Sequence, residues 1–248
     1  MGKKYFYLFS VLALFCLDTK AQSTNYDLNG DGDIDVADVE VLIDAIKNEQ
    51  SYDYVDLGLP SGLLWATMNI GADSPEDYGD HFAWGETTPQ SDNTYNWDSY
   101  KWCKGSYTTF TKYCNDSSYG YNGFTDTKTV LDADDDAATV NWGGKWRMPT
   151  NAEFEELINN TTNVWTTQNG VNGYKFTSKT NGNSIFFPAA GIRWNGKLDY
   201  AGSDGNYWSS TLYESYPRSA WYLYCYGGVY SDYDYRSSGR SVRPVRQN

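Results

Sequence analysis

Histidine is nearly missing from this chain: His81 stands alone among 248 residues. A Ser-His-Asp or Cys-His mechanism would have to rest on it, and its setting, Tyr78-Gly79-Asp80-His81-Phe82-Ala83-Trp84, reads as packed aromatic core or turn. Cysteine is scarce too. Cys16 lies in an N-terminal apolar run, which leaves Cys103, Cys114 and Cys225, with no CxxC or Cys/His spacing of a zinc site. In an oxidising compartment Cys103 and Cys114 can close a short loop, while three reduced, buried thiols fit the sequence equally well. Basic residues are outnumbered, 19 Lys and Arg against 32 Asp and Glu, and a net charge of -13 repels nucleic acid and anionic membrane surfaces. Long apolar runs are also lacking. The longest, residues 5–17, is shorter than the ~20 residues of a membrane span, so no span is expected. Lys3 and Lys4 before it and Thr19-Lys20-Ala21 after it predict a cleaved secretory signal over residues 1–21 and a secreted or cell-surface protein. The bulky Phe15 before Cys16 argues against a lipidation site.

Aromatics make up 17% of the chain, with 10 Trp, too many for disorder, while 23 Gly and a mean hydropathy of -0.65 point to a loop-rich β protein. The densest local chemistry follows the signal. Asp27, Asn29, Asp31, Asp33, Asp35 and Asp38 stand at positions 1, 3, 5, 7, 9 and 12 of a loop, with Gly32 at position 6, the pattern of a calcium loop. Side chains of Asp27, Asn29, Asp31 and Asp38, the Asp33 carbonyl, and Asp35 directly or through water supply the oxygens a hard cation takes. Val36, Val39, Ile43 and Ile46, widened by Leu42, predict a short amphipathic helix after the loop. The run DLNGDGDIDVADVEVLIDAI resembles one calcium repeat of a dockerin, an EF-hand-like loop-helix, with Asp38 where an ordinary EF-hand has Glu. The resemblance implies calcium as cofactor and a cohesin-like partner. Dockerins normally carry two repeats, and one is visible here. The expected organisation is residues 22–46 as this unit, 47–51 as linker and 52–248 as the main domain.

Beyond the linker the punctuation changes to short apolar runs between Gly, Asn, Asp and Ser. A hairpin is expected around Pro60-Ser61-Gly62, and a long ordered loop, pinned by its Trp and Tyr, over residues 87–121. Asp134-Asp135-Asp136 suits the positive start of a short helix through Ala137, Ala138 and Val140 better than a second calcium site. Thr150 and Glu153 form a capping-box pair behind Pro149 and predict a helix over residues 151–160 with Phe154, Leu157 and Ile158 buried. Glu153, Glu155 and Glu156 thereby acquire a structural explanation at the helix start, and no enzyme activity is expected.

Five stretches in order, VDLGLPSGLLWATMNIGA, YGDHFAWGET, WRMPTNAEFEEL, GNYWSS and the late SVRPV, together resemble the Fibrobacter-type major paralogous domain, which is similar in turn to the formylglycine-generating-enzyme type of C-type-lectin fold. The resemblance implies an α+β fold: a C-type-lectin-like domain with a small twisted antiparallel sheet, few helices and many loops. It does not carry enzymology over, because the oxidase members of that wider fold use a cysteine pair and only Cys225 stands in the late region. Glu-Pro-Asn and Gln-Pro-Asp, the calcium-sugar tripeptides of C-type lectins, are absent. Other proteins on this scaffold are targets of diversity-generating retroelements, with variable residues in a matching C-terminal stretch rich in Tyr, Ser, Asp and Asn.

That stretch, residues 205–246, holds nine of the 23 tyrosines: Tyr207, Tyr213, Tyr216, Tyr222, Tyr224, Tyr226, Tyr230, Tyr233 and Tyr235. Alternation in Trp221-Tyr222-Leu223-Tyr224-Cys225-Tyr226 predicts a strand with Trp221, Leu223 and Cys225 toward the core and the tyrosines on display. The composition is that of binding loops; an ordinary Tyr-rich strand pair is the alternative. The function expected is a secreted or cell-surface, non-catalytic protein that binds a protein or glycan ligand on a Tyr-rich surface. The other expectation is a dockerin-bearing accessory component of a polysaccharide-degrading assembly.

Overall fold

The structure, a computed structural model, describes residues 27–49 and 52–248. The expected signal segment, residues 1–21, lies outside the described residues, as do Gln50 and Ser51 of the expected linker. The chain divides into two units, residues 1–46 and 47–248. In the first, the Asp-rich loop leads into α1, Val36–Glu49. This helix starts where the apolar spacing places it and runs three residues into the expected linker. Val36, Val39 and Ile43 on it are exposed, because one loop and one helix offer too little apolar surface to cover them.

The second unit is α+β, built of small antiparallel sheets, two further α-helices and long loops. Strands β1 (Tyr54–Asp56) and β2 (Leu64–Ala66) form the hairpin expected around Pro60-Ser61-Gly62. The last strand, β12 (Val245–Arg246), inserts between β2 and β3 (Trp146–Arg147), giving a four-stranded sheet in the order β1-β2-β12-β3. The two ends of the unit are thus tied together. A meander of β4 (Thr161–Gln168), β5 (Val171–Ser178) and β6 (Ser184–Pro188) makes a second sheet, and β7 (Ile192–Trp194) with β8 (Lys197–Asp199) a small hairpin. Strands β9 (Gly205–Leu212), β10 (Ser219–Cys225) and β11 (Val229–Tyr235) form the sheet order β11-β10-β9.

Helix α2 (Ala137–Trp142) is capped by Asp136, whose carboxylate accepts from the amides of Ala138 and Thr139 at 2.9 Å each, and also from Met148. Asp135 is buried against Lys112. Two of the three acids are therefore consumed by capping and ion pairing, while Asp134 is exposed. Helix α3 (Asn151–Asn160) begins at the expected capping box: the Thr150 hydroxyl accepts from the Glu153 amide, and Glu153 accepts from the Thr150 amide at 2.8 Å. Glu153 also takes Arg147 as a two-pronged ion pair, and Glu156 accepts from both the amide and hydroxyl of Ser61. These carboxylates hold α3 to β3 and to the β1–β2 turn. Gly79 explains the Tyr-Gly-Asp motif: its φ of +67° is left-handed, and a Cβ there would lie 2.3 Å from the Ile70 carbonyl.

Two cores lie on either side of the β9–β11 sheet. Trp208, Leu212, Ala220 and Tyr222 enter one with Phe82, Trp84 and Trp142; Tyr207, Leu223 and Cys225 enter the other with Trp65, Phe154 and Phe187. A third cluster, Tyr95, Tyr100 and Phe110 with Cys103 and Cys114, packs down the long loop at residues 87–121. Among the described residues Cys103, Cys114 and Cys225 are free and buried, so the Cys103–Cys114 bridge is not formed.

Candidate ligand-binding surface

Strand β10 alternates as its sequence demands, but being the middle strand between two cores it buries residues on both faces. This corrects part of the expected display. Tyr222 is 6% exposed and Tyr207 is fully buried. The Tyr207 hydroxyl donates to the Pro188 carbonyl at 2.5 Å, and the Tyr222 ring lies 4.2 Å from the Arg240 guanidinium, which Trp208 flanks at 4.3 Å. Neither can meet a ligand. Trp221, expected in the core, is only half-buried and lies edge-on to Tyr213 and Tyr233. The core face of β10 is covered at Leu223 and Cys225 by the second cluster, with α3 alongside, and opens at the Trp221 end.

The remaining tyrosines form two groups. In the strand ladder Trp221 pairs with Tyr233 and Tyr224 with Tyr230, and these pairs fall on opposite faces because their registers differ by an odd step. On the first face Tyr213 and Tyr233 stack at 3.8 Å and 8°, Tyr216 leans on Tyr213, and Tyr235 touches Trp97 and Trp194. On the second face Tyr224 contacts Tyr226 and Tyr230, and its hydroxyl donates to Asp204 at 3.1 Å. Exposure reaches 57% at Tyr226, 46% at Tyr230, 45% at Tyr216 and 41% at Tyr233, while Tyr213 and Tyr224 are half-buried. Burial, then Asp204, pushes the Tyr224 phenol up; a hydrogen bond with Tyr213 does the same for Tyr233. A phenol hydroxyl can both donate and accept a hydrogen bond.

The sequence reading missed residues that complete the first face. Arg218, in the β9–β10 turn, lies 5.4 Å from the Tyr235 ring, 5.5 Å from Tyr107 and 5.7 Å from Tyr216. Tyr107 comes from the long loop and Trp194 from β7, so no contiguous stretch contains the patch. The one signal available beforehand was Arg218 itself, a cation inside a Tyr-rich run. Conversely, residues 236–243 belong to no surface. Arg236 donates to the carbonyls of Tyr113, Pro217 and Lys112, and Arg243 to those of Ala66 and Phe186 and to Asn69. Both are fully buried without a carboxylate partner among the described residues, and burial pulls Arg243 down to about 10.

In the N-terminal loop, Asp27 accepts from the amides of Gly30, Asp31 and Gly32, and Asp38 from those of Leu28, Asn29 and Asp35. Asn29 accepts from Asp31, Asp31 from Asp33, and Asp35 from Ala37. The loop is thus wound by its own carboxylates. Among the described residues no three His, Cys, Asp or Glu are gathered as a metal-holding group, although the all-oxygen donor set is of the kind calcium takes. His81, the remaining residue of catalytic type, is buried with its Nε2 donating to the Ala190 carbonyl at 3.1 Å. Desolvation and the nearby Arg193 charge hold it neutral, at about 4. Among the described residues no helix is long and apolar enough to cross a membrane.

A family model described as "Domain of unknown function (DUF8237)" matches residues 161–245, from β4 into β12 and across the whole aromatic sheet. No curated protein and no solved structure matches the chain.

Proposed function

We propose that the chain is a secreted or cell-surface, non-catalytic binding protein that holds a protein or glycan ligand on the β9–β11 aromatic surface. One observation carries this reading. A sheet buried on both faces presents, at its open end and on its outer strand, a cluster of half-exposed to exposed Tyr and Trp around one cation, the side-chain types that dominate interface energetics. The C-type-lectin-like resemblance and the variable-stretch composition point the same way. The test is a glycan and surface-protein binding screen on the mature chain, followed by Tyr216→Ser and Tyr235→Ser. Both variants should keep the wild-type urea midpoint and lose at least tenfold in affinity; unchanged affinity would remove these residues from the ligand surface.

A second reading has its own support. The exposed apolar stripe of α1, Val36, Val39 and Ile43, is suited to a cohesin-like partner, and calcium in the Asp27–Asp38 loop would fix the entry to that helix. In that reading the chain is an accessory component of a polysaccharide-degrading assembly, docked by its N-terminal unit.

A further inference from the structure

Arg218 is the feature of the binding surface that its neighbours do not account for. Its guanidinium is half-buried among three tyrosine rings, yet among the described residues it makes no hydrogen bond or ion pair, in a chain with 32 carboxylates. By contrast, Arg236 and Arg243 are engaged by carbonyls, Arg147 by Glu153 and Arg240 by Asp234. A guanidinium carries five donors in a planar fork that matches a carboxylate, and aromatic walls strengthen such a pair by excluding water. The unfilled fork therefore calls for an acid. Its source is narrowed by two further observations. The charge of -13 opposes a polyanion, so the carboxylate is an isolated one on an otherwise neutral ligand.

The second observation bears on peptides, whose usual route onto a sheet is strand addition at an edge. β11 is that edge. The Arg236 amide donates inward to Arg218, so the amides of Tyr233 and Tyr235, of opposite parity, face outward; each is already taken by the carboxylate of the preceding residue, Asp232 at 2.8 Å and Asp234 at 2.7 Å. The end of the edge beside Arg218 is thereby closed to strand addition. What remains is recognition by side chains alone: flat ring faces beside one acid reader. A pyranose ring has an apolar face to lay on a tyrosine and, in a uronic acid, a carboxylate at its rim.

We propose that Arg218 reads the carboxylate of a uronic acid in an otherwise neutral oligosaccharide, whose ring lies on the flanking tyrosines; the inference rests on the binding-surface reading above. It is tested by isothermal titration of the mature chain with matched pairs: xylotetraose with and without a glucuronate branch, and cellobiouronic acid with cellobiose. An acidic member should bind at least tenfold tighter than its neutral partner. Arg218→Gln should erase that difference while leaving the urea midpoint unchanged, and Arg218→Lys should restore only part of it, because an ammonium is not a planar fork. Equal affinity for both members of each pair, or an acid preference that survives in Arg218→Gln, overturns the role of Arg218. If no sugar binds but an acidic peptide or a protein binds and is lost in Tyr235→Ser, the sugar assignment falls and the surface stands. If nothing in the pairs or the wider screen binds, both readings fall.

Discussion

At the scale of single residues, Tyr222 and Tyr226 are chemically identical and four positions apart, and the fold gives them opposite tasks. Tyr222 closes a sandwich over Arg240 inside the core, so Tyr222→Ser leaves a cavity and an uncovered guanidinium and should cost about 3 kcal/mol. Tyr226 is exposed, and Tyr226→Ser should stay within about 0.5 kcal/mol. Urea unfolding of the two variants separates them, and equal losses would contradict the assigned faces. His81 gives a pH signature. Its folded pKa, about 4, lies below the ordinary 6.5, so between those values the unfolded chain binds a proton that the fold refuses. Its contribution is complete above pH 6.5 and is lost as pH falls toward 4, amounting to about 3 kcal/mol over the window. His81→Gln, whose amide can still donate to the Ala190 carbonyl, should show a flatter stability profile across that range; an unchanged slope would mean that other groups set it.

At the scale of elements, α3 shows how a local code survives into the fold. Thr150, Pro149 and Glu153 define its start without tertiary help, and Thr150→Ala should cost about 1 kcal/mol in thermal or urea unfolding with no change in ligand affinity. Tertiary structure adds the second use of each carboxylate: Glu153 for Arg147 and Glu156 for Ser61. Strand β10 is the contrasting case. Its period of two was legible and its parity correct, but alternation reports only that two faces differ. Which faces are wet depends on the strand's rank in the sheet, and β10 is central, with a bulge between Ala220 and Tyr222. The α1 helix was likewise legible in position, while the exposure of its apolar stripe follows from what the loop-helix unit lacks.

At the scale of the whole molecule, the main unit carries its own three aromatic clusters, and the Asp-rich loop belongs to none of them. Two outcomes follow. Calcium should bind the mature chain through the N-terminal loop, and Asp27→Ala, which removes the first oxygen donor and the acceptor for three loop amides, should abolish the titration signal. Chelation should leave the near-UV signal of the tryptophans intact. Calcium binding that persists in Asp27→Ala would place the ion elsewhere, and a lost tryptophan signal would make it part of the main core.

The sequence by itself determined what depends on near neighbours: the helix starts, the opening hairpin, the aromatic pinning of the long loop, the acid loop and the strand parity of β10. Those are decided by propensity, capping and alternation over a few residues. Only the tertiary structure decided that Tyr207 and Tyr222 are core, that Trp221 is half-exposed, that Cys103 and Cys114 stay apart, and that residues 236–243 anchor the sheet through buried arginines instead of joining the display. It also brought Tyr107, Arg218 and Tyr235 around one point. These outcomes rest on which strand lies centrally and which loop returns to cover it. They are set by contacts that reach beyond any local window, 19 positions for Tyr207 with Pro188 and 123 for Arg236 with Tyr113, for which no local pattern in the chain is a record.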